Sequence, residues 1–275
     1  MSPFNNAPIG VFDSGIGGLT VLNALWQALP QESFVYLADT ARIPYGTKSR
    51  ETVIQYAKQV CGQFIRHHRI KALVIACNTA SAHALSTLQQ EFKDLPILGV
   101  IIPGAMAAVN ATRNQHIAVI ATEGTVRYHA YEEAIASLNK NIRVSTQACS
   151  LLVPLVEEGW LKGEITDRII EHYLQPLFKN KDTLTPDTLV LGCTHFPLLK
   201  SRIEHYVGKD VSVIDSATTA AAQTLNLLQQ RDLLSSAPKK ETLFLVTDSP
   251  QRFITTANIF LGKSLDEKRV QHISV

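Results

Sequence analysis

Leu73-Val74-Ile75-Ala76-Cys77-Asn78-Thr79-Ala80-Ser81 and Leu189-Val190-Leu191-Gly192-Cys193-Thr194-His195-Phe196-Pro197 are two versions of one pattern. Each is an apolar run that closes on a small residue, a cysteine and then hydroxyl, amide or imidazole side chains. Apolar runs without polar alternation read as strands covered on both faces, the habit of parallel sheets. Each cysteine then falls at the carboxyl end of a parallel strand, just ahead of a helix N-terminus. Open α/β sheets place their ligand sites there. A helix N-terminus also favours a thiolate over a thiol.

One cysteine in such a place reads as a small buried hydrophobe. Two in matched contexts, flanked by Asn78, Thr79, Thr194 and His195, read as functional, because an apolar core does not select those neighbours.

Outward from the two cysteines, strands and helices alternate. Ile9 to Phe12 is a strand that runs into Asp13-Ser14-Gly15-Ile16-Gly17-Gly18-Leu19-Thr20. This is not a dinucleotide fingerprint, since Thr20 stands where the third glycine belongs, and no Gly-Lys-Ser/Thr makes it a P-loop. It puts a carboxylate and a hydroxyl at a strand end, with Ser14 as a helix cap as the simpler alternative. Ser33 to Ala38 is a second strand, ending in the ligand-rich loop Asp39-Thr40-Ala41-Arg42-Ile43-Pro44-Tyr45-Gly46-Thr47. Ala72 to Ala76 leads to Cys77, and Ile97 to Ile101 follows. The plan then restarts: Ile117 to Thr125 matches Ile9 to Gly17 in type, Arg143 to Ala148 is a strand, and Leu189 to Leu191 leads to Cys193. Val211 to Ile214 and Thr242 to Val246 complete the strands. The pattern predicts two similar α/β domains with mainly parallel sheets, related by a pseudo-two-fold, with the active site in the cleft between them. The expected domains are 1–97 plus 211–275, carrying Asp13 and Cys77, and 98–210, carrying Cys193.

Composition narrows the function. The chain has 275 residues, 45% hydrophobic and 18% charged, and a net charge of +2. Its basic residues are scattered, so no nucleic-acid surface is expected. Cys61, Cys77, Cys149 and Cys193 show no metal-type spacing and no disulfide framework, which predicts a reducing cytoplasm. Cys61 reads as structural. Met1 to Pro8 lacks the basic and apolar regions of a signal peptide. The most apolar stretch, Leu95 to Val109, is broken by Pro96, Gly99, Pro103 and Gly104, so no membrane span is expected.

Two thiols on opposite faces of one carbon can invert it: one takes a proton, the other returns one. Backbone N–H groups and hydroxyls at the strand ends would hold the enolate-like charge on a neighbouring carboxylate.

Ile9 to Val21, Ala38-Asp39-Thr40 through Pro44-Tyr45-Gly46, Ala76 to Ser81, Leu191 to Leu199 and Ile214-Asp215-Ser216-Ala217 together resemble the motif series of the bacterial glutamate racemase family. The resemblance implies a cofactor-independent, metal-free racemase that supplies D-glutamate for peptidoglycan and works as a homodimer. It implies that Cys77 serves the D-enantiomer and Cys193 the L-enantiomer, assisted by Asp13, His195 and Glu157. It matches Asp13, Ser14, Tyr45, Gly46, Asn78, Thr79, Thr194 and His195 to substrate contacts, and Thr122, at the first strand end of the second half, joins them. For Glu157 a solvated loop carboxylate is the plain alternative, and for His195 a core histidine. A racemase for aspartate or another diacid, and a non-catalytic binding protein on the same fold, are the rival functions.

Overall fold

The computed structural model describes residues 3–179 and 184–275. Met1 and Ser2, part of the stretch read as lacking a leader, lie outside them. The chain divides into two compact units, Met1–Val100 with Ala217–Val275, and Ile101–Ser216.

The first unit opens with β1 (Ile9–Asp13), α1 (Leu19–Ala28), β2 (Phe34–Ala38), α2 (Arg50–Gln63), β3 (Ala72–Ile75), α3 (Asn78–Glu91) and β4 (Ile97–Gly99). Every residue of β1, β2 and β3 is buried, as their unbroken apolar sequences require. The second unit runs α4 (Ile101–Ala111), β5 (His116–Ala121), α5 (Glu123–Arg127), α6 (Ala130–Leu138), β6 (Arg143–Ala148), α7 (Leu152–Glu157), α8 (Glu164–Phe178), β7 (Thr188–Gly192), α9 (Lys200–Val207) and β8 (Ser212–Asp215). Its central strands β5 and β7 are likewise wholly buried. The chain then returns to the first unit through α10 (Ser216–Gln230), β9 (Leu243–Val246), α11 (Pro250–Leu261) and β10 (Val270–His272).

Each unit has its own all-parallel sheet. The first has the order β10-β9-β2-β1-β3-β4 and the second β6-β5-β7-β8. The four-strand order 2-1-3-4 of the first unit recurs as 6-5-7-8 in the second, so the restart read at Ile117 is a repeat of topology. In both, the chain order reverses between the first and third strands, the switch point where parallel sheets open at their carboxyl edge. Cys77 follows the third strand of its unit, and Cys193 the third strand of its own.

The expected domain boundaries shift. β4 extends to Gly99 and pairs with β3, so the first crossing lies after Val100 and not after residue 97. The strand at Ser212–Asp215 pairs with β7, so it belongs to the second unit, and the chain crosses back after Ser216 and not at 211. The terminal extended piece is a strand, β10, parallel to β9.

The amino edge of the first sheet is pinned by charge. Lys71, one residue before β3, is fully buried, and its ammonium lies 2.5 Å from Glu32. It also donates to the carbonyls of Asn5 (2.6 Å) and Leu233 (2.8 Å), while Glu32 accepts from Ser235 N (2.8 Å). The start of the chain and the segment after α10 are thereby tied to the strand edge. Removing one member of a buried ion pair strands the other charge, at a cost of ~3–5 kcal/mol. Lys71→Ala is therefore expected to lose stability on that order in urea unfolding. The double variant Lys71→Met, Glu32→Gln, which leaves no charge behind, is expected to lose clearly less. Equal losses would mean that the charges contribute nothing beyond their volume.

Candidate active site

The candidate residues gather at the carboxyl edges of the two sheets, in two groups. In the first unit, β1 ends on Asp13, whose carboxylate is buried and accepts from Gly15 N at 3.0 Å. The loop turns tightly enough that a Cβ at Gly18 would stand 2.5 Å from Asp13 Cβ, so only glycine fits there. Tyr36, on β2, fixes the same loop by donating its hydroxyl to Gly15 O at 3.0 Å. Ser14 is not a helix cap. The helix starts at Leu19 with Gly18 as its cap, and Ser14 Oγ instead lies 3.4 Å from Cys77 Sγ.

Cys77 caps α3. Its sulfur accepts from Ala80 N at 3.4 Å, at the positive end of a 14-residue helix. Backbone N–H groups and helix dipole both act on that sulfur, and both favour its anion. Asn78 and Thr79 are buried in the first turn of the same helix. Tyr45 is buried and its ring meets Phe12 edge-on at 6.1 Å, while Gly46 beside it is half-buried. Burial and the adjacent Asp39 carboxylate hold the Tyr45 phenol far above its ordinary pKa, so it stays a hydrogen-bond donor.

In the second unit, the helix expected behind Cys193 starts later and opens as a 3-10 turn. Cys193-Thr194-His195 runs into a single 3-10 turn, Phe196–Leu199, with Pro197 near its start, and α9 begins only at Lys200. A side chain stands beside the sulfur: His195 Nδ1 lies 3.8 Å from Cys193 Sγ and 3.4 Å from Thr194 Oγ1. His195 Nε2 lies 3.0 Å from Glu157 Oε1. Burial alone would lower the imidazole's pKa, but its hydrogen bonds to Cys193 and Glu157 win and push it up to about 10. His195 is thus no core histidine filling space. Glu157 is no loop carboxylate either: it is the last residue of α7, a short helix with Pro154 in its first turn. Thr122 caps α5 after β5, with its hydroxyl 3.0 Å from that of Thr125.

The other two cysteines are fully buried. Burial pushes Cys61 up to about 12 and moves Cys149 higher still. No group of three or more His, Cys, Asp or Glu side chains able to hold a metal occurs among the described residues, and no described helix is long and apolar enough to cross a membrane. Sequence reading missed Tyr36 and Asp39 as site-shaping groups. Tyr36 was signalled only by its place on the second strand, whereas Asp39 stood in the ligand-rich loop and in the Ala38-Asp39-Thr40 motif without a role assigned to it.

Three comparisons bear on this arrangement. The model of the Asp/Glu/hydantoin racemase family matches residues 9–224. The glutamate racemase of Neisseria meningitidis serogroup A is 47% identical over 261 residues, 94% of each chain. The crystal structure of a glutamate racemase isoform from Bacillus anthracis superposes with a TM-score of 0.91 at 37% identity, covering 98% of each chain. That of the Francisella tularensis glutamate racemase in complex with D-glutamate gives 0.89 at 37% identity, again over 98% of each.

The imidazole supplies a test. A histidine whose folded pKa is raised from about 6.5 to about 10 adds stability that is fully present below pH ~6.5 and is lost as pH rises through about 10. Histidine-labelled NMR is expected to show His195 still protonated at pH 8, and Glu157→Gln should lower its titration midpoint. A neutral His195 ring at pH 8 in the wild-type protein would contradict the assignment.

Proposed function

The chain belongs to the Asp/Glu/hydantoin racemase family, and from that premise we propose that it interconverts L- and D-glutamate by a two-thiol proton transfer that needs no cofactor. The observation that carries the proposal is the pair of equivalent strand ends, each bearing a cysteine whose anion has a dedicated partner. The α-proton of an amino acid is very weakly acidic, so the base needs a stabilised anion and the carbanion needs its charge drawn into the carboxylate.

In the L-to-D direction, Cys193 thiolate takes the α-proton and becomes a thiol. The electron pair left on Cα delocalises into the substrate carboxylate. Cys77 thiol then gives its proton to the opposite face and becomes the thiolate. The D-to-L direction runs the same steps backwards. His195, as imidazolium, donates to the Cys193 anion, and Glu157 holds the imidazolium from its far side. In the first unit, α3's N-terminus and the Ser14 hydroxyl support Cys77, and Asp13 stands next to Ser14 on the same loop. Ser14, Tyr45, Gly46, Asn78, Thr79, Thr122, Thr194 and His195 hold the substrate's ammonium and carboxylate groups. The D-glutamate made would feed peptidoglycan synthesis. We place the enzyme in the cytoplasm, where its four free cysteines stay reduced, and read it as a homodimer on the family resemblance.

Glutamate is favoured over aspartate by the names of the relatives. A site shaped for the longer side chain should prefer it by more than ~10-fold in kcat/KM. Circular dichroism of the purified protein with L- or D-glutamate and no additive is expected to show decay to zero ellipticity. In heavy water the product should carry deuterium at Cα while the substrate pool stays largely protiated early on. Cys77→Ala and Cys193→Ala should each lower racemisation in both directions by at least ~10²–10⁴-fold. A Cys193→Ala protein that racemises near the wild-type rate would leave a single-base mechanism and overturn the scheme.

A further inference from the structure

The loop that carries Tyr45 and Gly46 has little regular structure of its own. It leaves β2 at Asp39 and passes through two single 3-10 turns, Thr40–Arg42 and Tyr45–Thr47, with Ala41, Ile43, Pro44 and Thr47 exposed. Its fixed point is the Asp39 carboxylate, which is fully buried. One carboxylate oxygen, Oδ2, accepts from Arg42 Nε at 2.6 Å and from the Tyr45 hydroxyl. The other, Oδ1, accepts from Thr247 Oγ1 at 2.9 Å.

Thr247 comes from the far end of the chain. It is the first residue after β9, in a segment beyond the residues matched by the family model. Its hydroxyl also accepts from Ala41 N at 2.9 Å. The next residue closes a reciprocal pair: Thr40 Oγ1 donates to Asp248 O at 2.7 Å, and Asp248 N donates to Thr40 Oγ1 at 2.8 Å. The β2–β9 ladder continues into this clamp through Thr247 N to Ala38 O at 3.2 Å.

We propose that Thr247 is a positioning residue for the reaction: its hydroxyl orients Asp39, and Asp39 in turn sets where Tyr45 and Gly46 meet the substrate. This rests on the reading of Tyr45 and Gly46 as glutamate contacts. The physical reason is that a buried carboxylate keeps its donors or moves to find others. If Oδ1 loses Thr247, the group gains by turning, and Oδ2 carries both Arg42 and Tyr45 with it. The effect spreads through an aromatic stack: the Arg42 guanidinium lies 4.3 Å from the centre of the Tyr56 ring, and that ring lies 5.6 Å from the ring of Tyr45. The network is centred on the Asp39 carboxylate and not on a cysteine, so the loss is expected to fall mainly on binding.

Thr247→Val keeps the side-chain shape and removes the hydroxyl, while Thr247→Ser keeps the hydroxyl. The expected result for the valine variant is a KM for glutamate raised about tenfold, the scale of one hydrogen bond to a charged group, with kcat within about twofold of wild type. The serine variant should restore most of the KM. Amide hydrogen exchange, which needs no substrate, should speed up across residues 40–48 in the valine variant and not in the serine variant. Unchanged exchange in that loop would overturn the clamp itself. Faster exchange with an unchanged KM would overturn the link to binding and leave Thr247 a purely structural residue. Wild-type protein that does not racemise glutamate would fail the proposed function instead, and the exchange measurement would still decide the clamp.

Discussion

A thiol removes a proton well only when its anion is held, and the two strand-end cysteines have different surroundings. Behind Cys77 stands α3, 14 residues long, whose first free N–H groups and dipole act on the sulfur. Behind Cys193 the chain makes a 3-10 turn that leads into α9, and the His195 imidazole, backed by the Glu157 carboxylate, lies beside the sulfur. The repeated strand order makes the two ends equivalent in topology. The local sequence makes them unlike in electrostatics. Backbone dipoles do not titrate, whereas an imidazole does.

The central strands were legible because burial on both faces leaves an unbroken apolar run, and that constraint acts residue by residue. The same constraint made the strand-end cysteines stand out. The 3-10 turn at Phe196–Leu199 was not legible, because a 3-10 start and an α start carry the same local pattern here. The allegiance of Ser212–Asp215 was also illegible. Nothing local distinguishes a strand that pairs with β7 from one that returns to the first sheet, since pairing is settled by residues far away. Asp39 was read as part of a polar loop and of a family motif with no contact assigned to it, because one partner that defines it, Thr247, lies 208 residues further on. His195 and Glu157, 38 residues apart, were joined only through family resemblance, and nothing local to either points to the other.

The two edges of the first sheet divide their tasks. Its carboxyl edge carries the loops with Asp13, Ser14, Tyr45 and Cys77. Its amino edge carries Lys71 and Glu32, buried, paired and bonded to three main-chain groups. Buried charge of this kind contributes little net stability, but it is costly to break and selective about its partners. It fixes which chain segments meet at that edge, while the opposite edge is left free to hold polar loops in conformations set by function.

The second unit is an insertion: residues 101–216 form one continuous stretch, while the first unit is assembled from both sides of it. A chain emerging from the ribosome therefore presents a complete second unit before the first has received β9 and β10. Until they arrive, β2 is an open edge, and an open strand edge invites pairing with other chains. The same late segment brings Thr247 and Asp248 to the Tyr45 loop. Completion of the first sheet and anchoring of that loop thus share a single final event in synthesis, so a chain released early lacks both at once.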